Sequence, residues 1–137
     1  MRVRPSPTKG AAAGTVAPRM LTAHHVLAFV VIGASAVAAV WGVVAYRGAG
    51  LAGGALSHLL ALVQTLLVAQ VGLGLLLLSD GRRAAEHLHY AYGTLALAAV
   101  LAPWFYAPAE PRRRLLWFAG ATLVAGALAT RAYLTAR

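Results

Sequence analysis

The sequence predicts an all-α protein, a four-helix transmembrane bundle running up-down-up-down. Three observations predict it. Of the 137 residues, 61% are hydrophobic and 11% charged, against about 45–50% and about 25% in an ordinary soluble domain. A chain this short leaves much of its surface exposed, so one small core could not hide that excess. The charged residues also fall almost entirely between four uncharged runs, at 20–46, 48–79, 87–109 and 115–130. Finally, the links between runs are short and rich in Gly, Pro and Asp, which makes successive helices antiparallel neighbours.

Each span follows from the length a bilayer requires, about 20 mostly apolar residues. The predicted spans are 23–46, 55–78, 85–106 and 113–134. The fourth reaches Leu134 only if Arg131 snorkels to the headgroups. The link 47–54 (RGAGLAGG) is a glycine-rich turn. Ser79-Asp80-Gly81-Arg82-Arg83 is a tight hairpin, with Gly81 placed to end a helix in the left-handed conformation. Residues 107–111 stop the third helix, and Pro111 suits the first turn of the fourth. Residues 1–20 are basic, proline-containing and without apolar periodicity, and are expected to form a disordered arm. Residues 21–137 form the bundle. Met20, immediately before the first span, is an alternative start. The apolar run continues past Ala34-Ser35-Ala36, which favours an uncleaved anchor over a cleaved signal.

Twelve Lys and Arg against three acids give a net charge of +9, but the basic residues punctuate apolar runs, so the expected partner is the bilayer and not nucleic acid. The side of the bundle carrying the termini and the 79–83 hairpin is termed side A, and the opposite side is side B. Side A holds Arg2, Arg4, Lys9, Arg19, Arg82, Arg83, Arg131 and Arg137, and side B holds Arg47, Arg112, Arg113 and Arg114. This excess predicts both termini in the cytoplasm of a cell with the bundle in its inner membrane. Trp41, Trp104 and Trp117 lie at the side B ends as interfacial anchors. Small residues mark helix contacts in lipid. The stripes are Ala34, Ala38 and Gly42 on the first helix and Ala121, Ala125 and Ala129 on the fourth, and they suit packing within the chain or between copies.

Cysteine is absent, which excludes thiolate metal sites, iron–sulfur clusters, thiol nucleophiles and covalent haem attachment. Asp80, Glu86 and Glu110 lie in or beside links, so carboxylate-based ion coupling within the membrane is not expected. Glu86 reads as an i,i+4 partner of Arg82. Five histidines remain. His24 and His25 open the first helix and His87 and His89 the third, both from side A, while His58 lies on side B. Neutral imidazoles at one depth on two helices can ligate haem iron, so His25 or His24 with His89 or His87 forms a candidate haem b site. Gly93, four residues after His89, clears space, and Arg131, Arg82 and Arg83 share that end as candidate partners for haem propionates. Histidines this near span ends serve equally as interfacial anchors. No His pair has the i,i+4 spacing of a helical metal site, and no other metal is expected. Gln64, Thr65 and Gln70 on the second helix suit a quinone or haem edge, or interhelical hydrogen bonds.

His89-Tyr90-Ala91-Tyr92-Gly93 supplies a His-x-x-Tyr-Gly opening to the third helix. It follows a leucine-rich second helix and a polar hairpin, and precedes a basic cluster (Arg112, Arg113, Arg114) and a closing Arg131-Ala132. Over about 60–135 this pattern resembles small four-span membrane proteins found in many bacteria. That resemblance implies the architecture and draws attention to His89. A looser likeness, to four-helix b-type cytochromes, implies bis-histidine haem ligation, although the several mid-helix histidine pairs of two-haem members are not present. The expected function is therefore a small non-enzymatic membrane protein, an accessory or assembly subunit of a membrane complex or a homo-oligomer. A single-haem electron carrier is the alternative, and a transporter without carboxylate coupling the third.

Overall fold

A computed structural model of the chain describes residues 10–48 and 53–136, with side chains from Pro18 onward. It is an all-α bundle, with no strand among the described residues. The elements are α1 (Gly10–Arg47), α2 (Gly54–Ser79), α3 (Leu88–Leu101), α4 (Pro103–Tyr106) and α5 (Pro111–Leu134). Four stretches are long and apolar enough to cross a bilayer: Pro18–Arg47, Gly54–Ser79, Leu88–Tyr106 and Pro111–Leu134. Their outward faces are apolar, with Phe29, Val40, Leu75, Leu95 and Leu123 among many exposed large side chains. Contiguous exposure on this scale suits lipid and not water. The chain is a multi-pass membrane protein.

The helix ends follow local chemistry. After α2, Arg82 N–H donates to Leu77 C=O and Gly81 N–H to Leu78 C=O. Gly81 has φ 79°, completing a Schellman motif at the glycine expected to end this helix. The third helix then starts at Leu88 and not at 85, so the link is longer than a tight hairpin. Arg82 and Glu86 both lie in this non-helical link, which removes the expected i,i+4 relation between them. Tyr90 Oη accepts from Ala84 N–H at 2.9 Å and pins the end of the link to α3.

The third span is divided. Pro103 has no N–H to donate and its ring crowds the preceding turn, so α3 stops at Leu101 and α4 begins at Pro103. The expected continuous helix 85–106 is corrected on this point. At the other end of the chain, α1 reaches back through Ala11, Ala12 and Ala13 to Gly10, well before the predicted start at 23, as alanine's helix preference allows. Residues 1–9 of the expected arm, and 49–52 of the glycine-rich turn, lie outside the described residues.

Glu110 caps α5. Its Oε2 accepts from Arg113 N–H at 2.8 Å and its Oε1 from Arg112 N–H at 2.9 Å, while Pro111 occupies the first turn. Those two N–H groups, aided by the neighbouring guanidinium charges, hold the carboxyl below the ordinary carboxylate value of 4.5. A lowered folded-state pKa means that the cap contributes fully above that ordinary value. The contribution is lost as pH falls through the depressed one. Glu110→Gln is therefore expected to melt slightly earlier than wild type near neutral pH, with the gap closing in acid. Thermal melts at the two pH values check this, and an equal gap at both contradicts it.

Around the bundle, α1 packs against α2 and α5, while α3 packs against α5 and more sparsely against α2. Helices α1 and α3 are diagonal, with no Cα pair within 8 Å among the described residues. Helices α1 and α5 approach closely at Gly42 and Gly126. There Ser35, Ala38 and Gly42 face Ala119, Thr122, Ala125 and Gly126, all buried. The expected α1 stripe holds at Ala38 and Gly42. On α5 the seam turns by about one residue, since Ala121 and Ala129 are only partly buried. Sparse packing on the other diagonal leaves room inside the bundle toward side A.

Candidate functional site

The side A room is a cavity of about 370 Å³ whose lining includes His24, His25, Gln70, Arg82, Arg83 and His89. Helices α1, α2, α3 and α5 and the 80–87 link all contribute to its wall. His24 and His25 are adjacent in sequence and so about 100° apart on the helix. Both border the cavity, but to different depths. His24 is buried at 9% exposure, whereas His25 is exposed and packs edge-on to Tyr133 with ring centres 6.5 Å apart. On α3 the choice falls to His89, which is partly buried, while His87 is exposed at the position preceding the helix. The inward pair is therefore His24 with His89. Their ring centres are 6.1 Å apart at an interplanar angle of 64°.

Each ring is held from behind. His89 Nδ1 lies 2.8 Å from Ala132 C=O. A carbonyl only accepts, so Nδ1 carries the proton and Nε2 keeps its lone pair. This backbone bond is the outer-shell partner that fixes the tautomer and ring orientation of metal-binding histidines. His24 Nε2 lies 3.3 Å from the Gln70 side-chain amide nitrogen. His24 Nδ1 and Gln70 Oε1 are buried without a hydrogen-bond partner, and an unpaired buried polar atom costs about 1–3 kcal/mol. The cavity thus holds two oriented imidazoles and unsatisfied polar atoms within a largely apolar wall.

Two glycines shape that wall. Gly74 lies beside the His24 ring, where a Cβ would be in van der Waals contact with Cε1 at 3.4 Å. Gly93 lines the cavity and a Cβ there would meet nothing within 4 Å, which is the open space its spacing from His89 suggests. Arg131 does not line the cavity. Its guanidinium lies over the Tyr92 ring at 5.8 Å, and the basic groups at the cavity are Arg82 and Arg83 of the link instead. His58, at the start of α2, is exposed on side B. No group of three or more His, Cys, Asp or Glu suited to a metal ion occurs among the described residues.

The sequence marks Gln70 as a residue for a haem edge or an interhelical hydrogen bond, but does not identify His24 as its partner, nor Ala132 as the partner of His89. For Gln70 the only sequence signal is a polar residue on an otherwise apolar helix. Comparison with protein families, curated proteins and solved structures finds no match to this chain.

Proposed function

We propose that this multi-pass membrane protein binds one haem b between α1 and α3 and works as a membrane electron carrier. The observation that carries the reading is the His24–His89 pair. His24 and His89 would hold the iron between them, each through one ring nitrogen. Their ring centres stand 6.1 Å apart. His89 would offer iron Nε2, left free by its bond to Ala132, and His24 would offer Nδ1 once the Gln70 amide turns so that its unpartnered Oε1 accepts from His24 Nε2–H. Bound between them, haem iron supplies reversible one-electron chemistry.

The remaining roles belong to the chain's own groups. Ala132 C=O and Gln70 orient the two imidazoles. Gly74 and Gly93 leave room beside them. Arg82 and Arg83 offer guanidinium forks suited to propionate carboxylates. The apolar wall limits water around the iron, one of the means by which a protein sets its potential. The His-x-x-Tyr-Gly opening of α3 extends the same reading to the small bacterial four-span proteins it resembles. The excess of Lys and Arg on side A supports a cytoplasmic location for both termini and for this cavity.

The purified protein, expressed with adequate haem supply, is expected to show an intense Soret band and about one haem per chain. A purified, folded protein without that band contradicts the haem reading and leaves the accessory-subunit reading. A transporter draws less support, because all three carboxylates lie outside the spans. Orientation is checked by single cysteines at the exposed positions Asp80 and Ala109. In intact cells an impermeant thiol reagent is expected to label Ala109→Cys and not Asp80→Cys. The reverse pattern contradicts cytoplasmic termini.

A further inference from the structure

A second cavity, of about 420 Å³, lies toward side B between α1, α2, α4 and α5. Its deepest polar group is Gln64, in the middle of α2 and only 8% exposed. Trp104 Nε1 donates to Gln64 Oε1 at 2.9 Å. Indole N–H is donor only, so this bond fixes which end of the amide faces which way. The Oε1 end is engaged by Trp104, and the NH2 end makes no hydrogen bond of its own. Trp104 and Phe118 meet edge-to-face at 5.4 Å and 90°, giving the cavity two aromatic walls. Leu60 and Ala61 of α2, Leu115 of α5 and Ala45 of α1 add to its apolar lining, and Arg112 and Arg114 also border it. Arg112 is already committed, donating to Tyr46 C=O at 2.8 Å. No acidic side chain lines the cavity.

A largely apolar cavity bordered by two aromatic rings, with one buried amide whose NH2 is not hydrogen-bonded, suits an uncharged, aromatic-sized ligand bearing a carbonyl oxygen. Its position, among helices whose outer faces are apolar, makes it reachable from the membrane. An anionic headgroup would favour the guanidinium groups over a neutral amide set among apolar residues, since burying a charge beside only neutral donors is unfavourable. We infer that this cavity is a binding site for the headgroup of a membrane quinone, with one carbonyl accepting from the Gln64 amide. The site is separate from the His24–His89 cavity and does not depend on haem.

The test uses the full chain with Trp41→Phe and Trp117→Phe, so that Trp104 is the single tryptophan. A decyl-substituted benzoquinone is titrated into this protein in neutral phosphatidylcholine nanodiscs while tryptophan emission is followed. Saturable quenching is expected. Gln64→Leu should weaken it by about tenfold, the equivalent of one hydrogen bond. Ala61→Leu, which fills the cavity from a lipid-facing position without touching the amide, should weaken it at least as much. That variant keeps the test valid if Gln64→Leu does not fold. Quenching that is linear and equal in all variants means only partition into lipid, and overturns the proposal. Competition by added phosphatidylglycerol in place of quinone-specific saturation also overturns it, and assigns the cavity to an anionic lipid.

Discussion

His89→Ala is expected to abolish stoichiometric haem binding, and His24→Ala to do the same or to leave a weakly held haem with one axial imidazole. Both rings face the cavity with centres 6.1 Å apart, so each removes half of the axial set. His25→Ala and His87→Ala are expected to retain the cofactor, because His87 does not line the cavity and the His25 ring, though it borders the cavity, is exposed and packs on Tyr133. His58→Ala, on the opposite side, should be silent. Gln70→Leu should reduce haem affinity by roughly 10–100-fold, as loss of an outer-shell partner does. Haem content per chain, measured on each purified variant, checks the series. A His89→Ala protein that keeps the wild-type content contradicts the assignment of the ligand.

Gly42→Leu and Gly126→Leu are expected to destabilise the bundle by on the order of 2–3 kcal/mol each. A Cβ at Gly42 would collide with Ala119 Cβ, and one at Gly126 would lie 2.8 Å from Ser35 Cβ. Association in lipid rests on close packing with no hydrophobic drive between helices, so pushing α1 from α5 removes one of the two most extensive helix contacts of the fold. Gly33→Leu and Gly120→Leu serve as controls, since a Cβ at either site meets nothing within 4 Å. They should be neutral or slightly stabilising through helix preference. Unfolding in mixed detergent, followed by helicity or by a fluorescent probe, reads the difference. Equal effects at all four glycines contradict the close α1–α5 seam.

Much of this fold is legible in the sequence because the bilayer imposes a length and excludes charge. The four spans are bounded by Arg47, Asp80, Glu110 and Arg131 and their neighbours, and Gly81 marks a helix end that the Schellman bonds complete. Rotation of the helices is far less legible. A helix that is apolar all round gives no periodic stripe to orient it, so His24 and His25 could not be told apart until α2 and α5 were in place. The same ambiguity moved the α5 seam from Ala121 and Ala129 to Ala119, Thr122 and Gly126. The break at Pro103 was readable in principle, but Pro108 and Pro111 carried the stop signal more strongly. At the cavity, His89 and Gly93 could be read from their i,i+4 spacing. The Gln70–His24 and His89–Ala132 contacts span 46 and 43 residues, and no local pattern announces them. Of the three arginines that share this end, Arg131 is engaged by Tyr92, while the non-helical link brings Arg82 and Arg83 to the cavity.

The central claim is that His24 and His89 together hold one iron, and electron paramagnetic resonance of the oxidised, haem-loaded protein tests it most directly. Two imidazole ligands give a low-spin ferric signal, which His89→Ala should convert to high spin or remove with the haem. A wild-type protein that loads haem but shows only a high-spin signal, unchanged by His24→Ala, would contradict a site shared between α1 and α3.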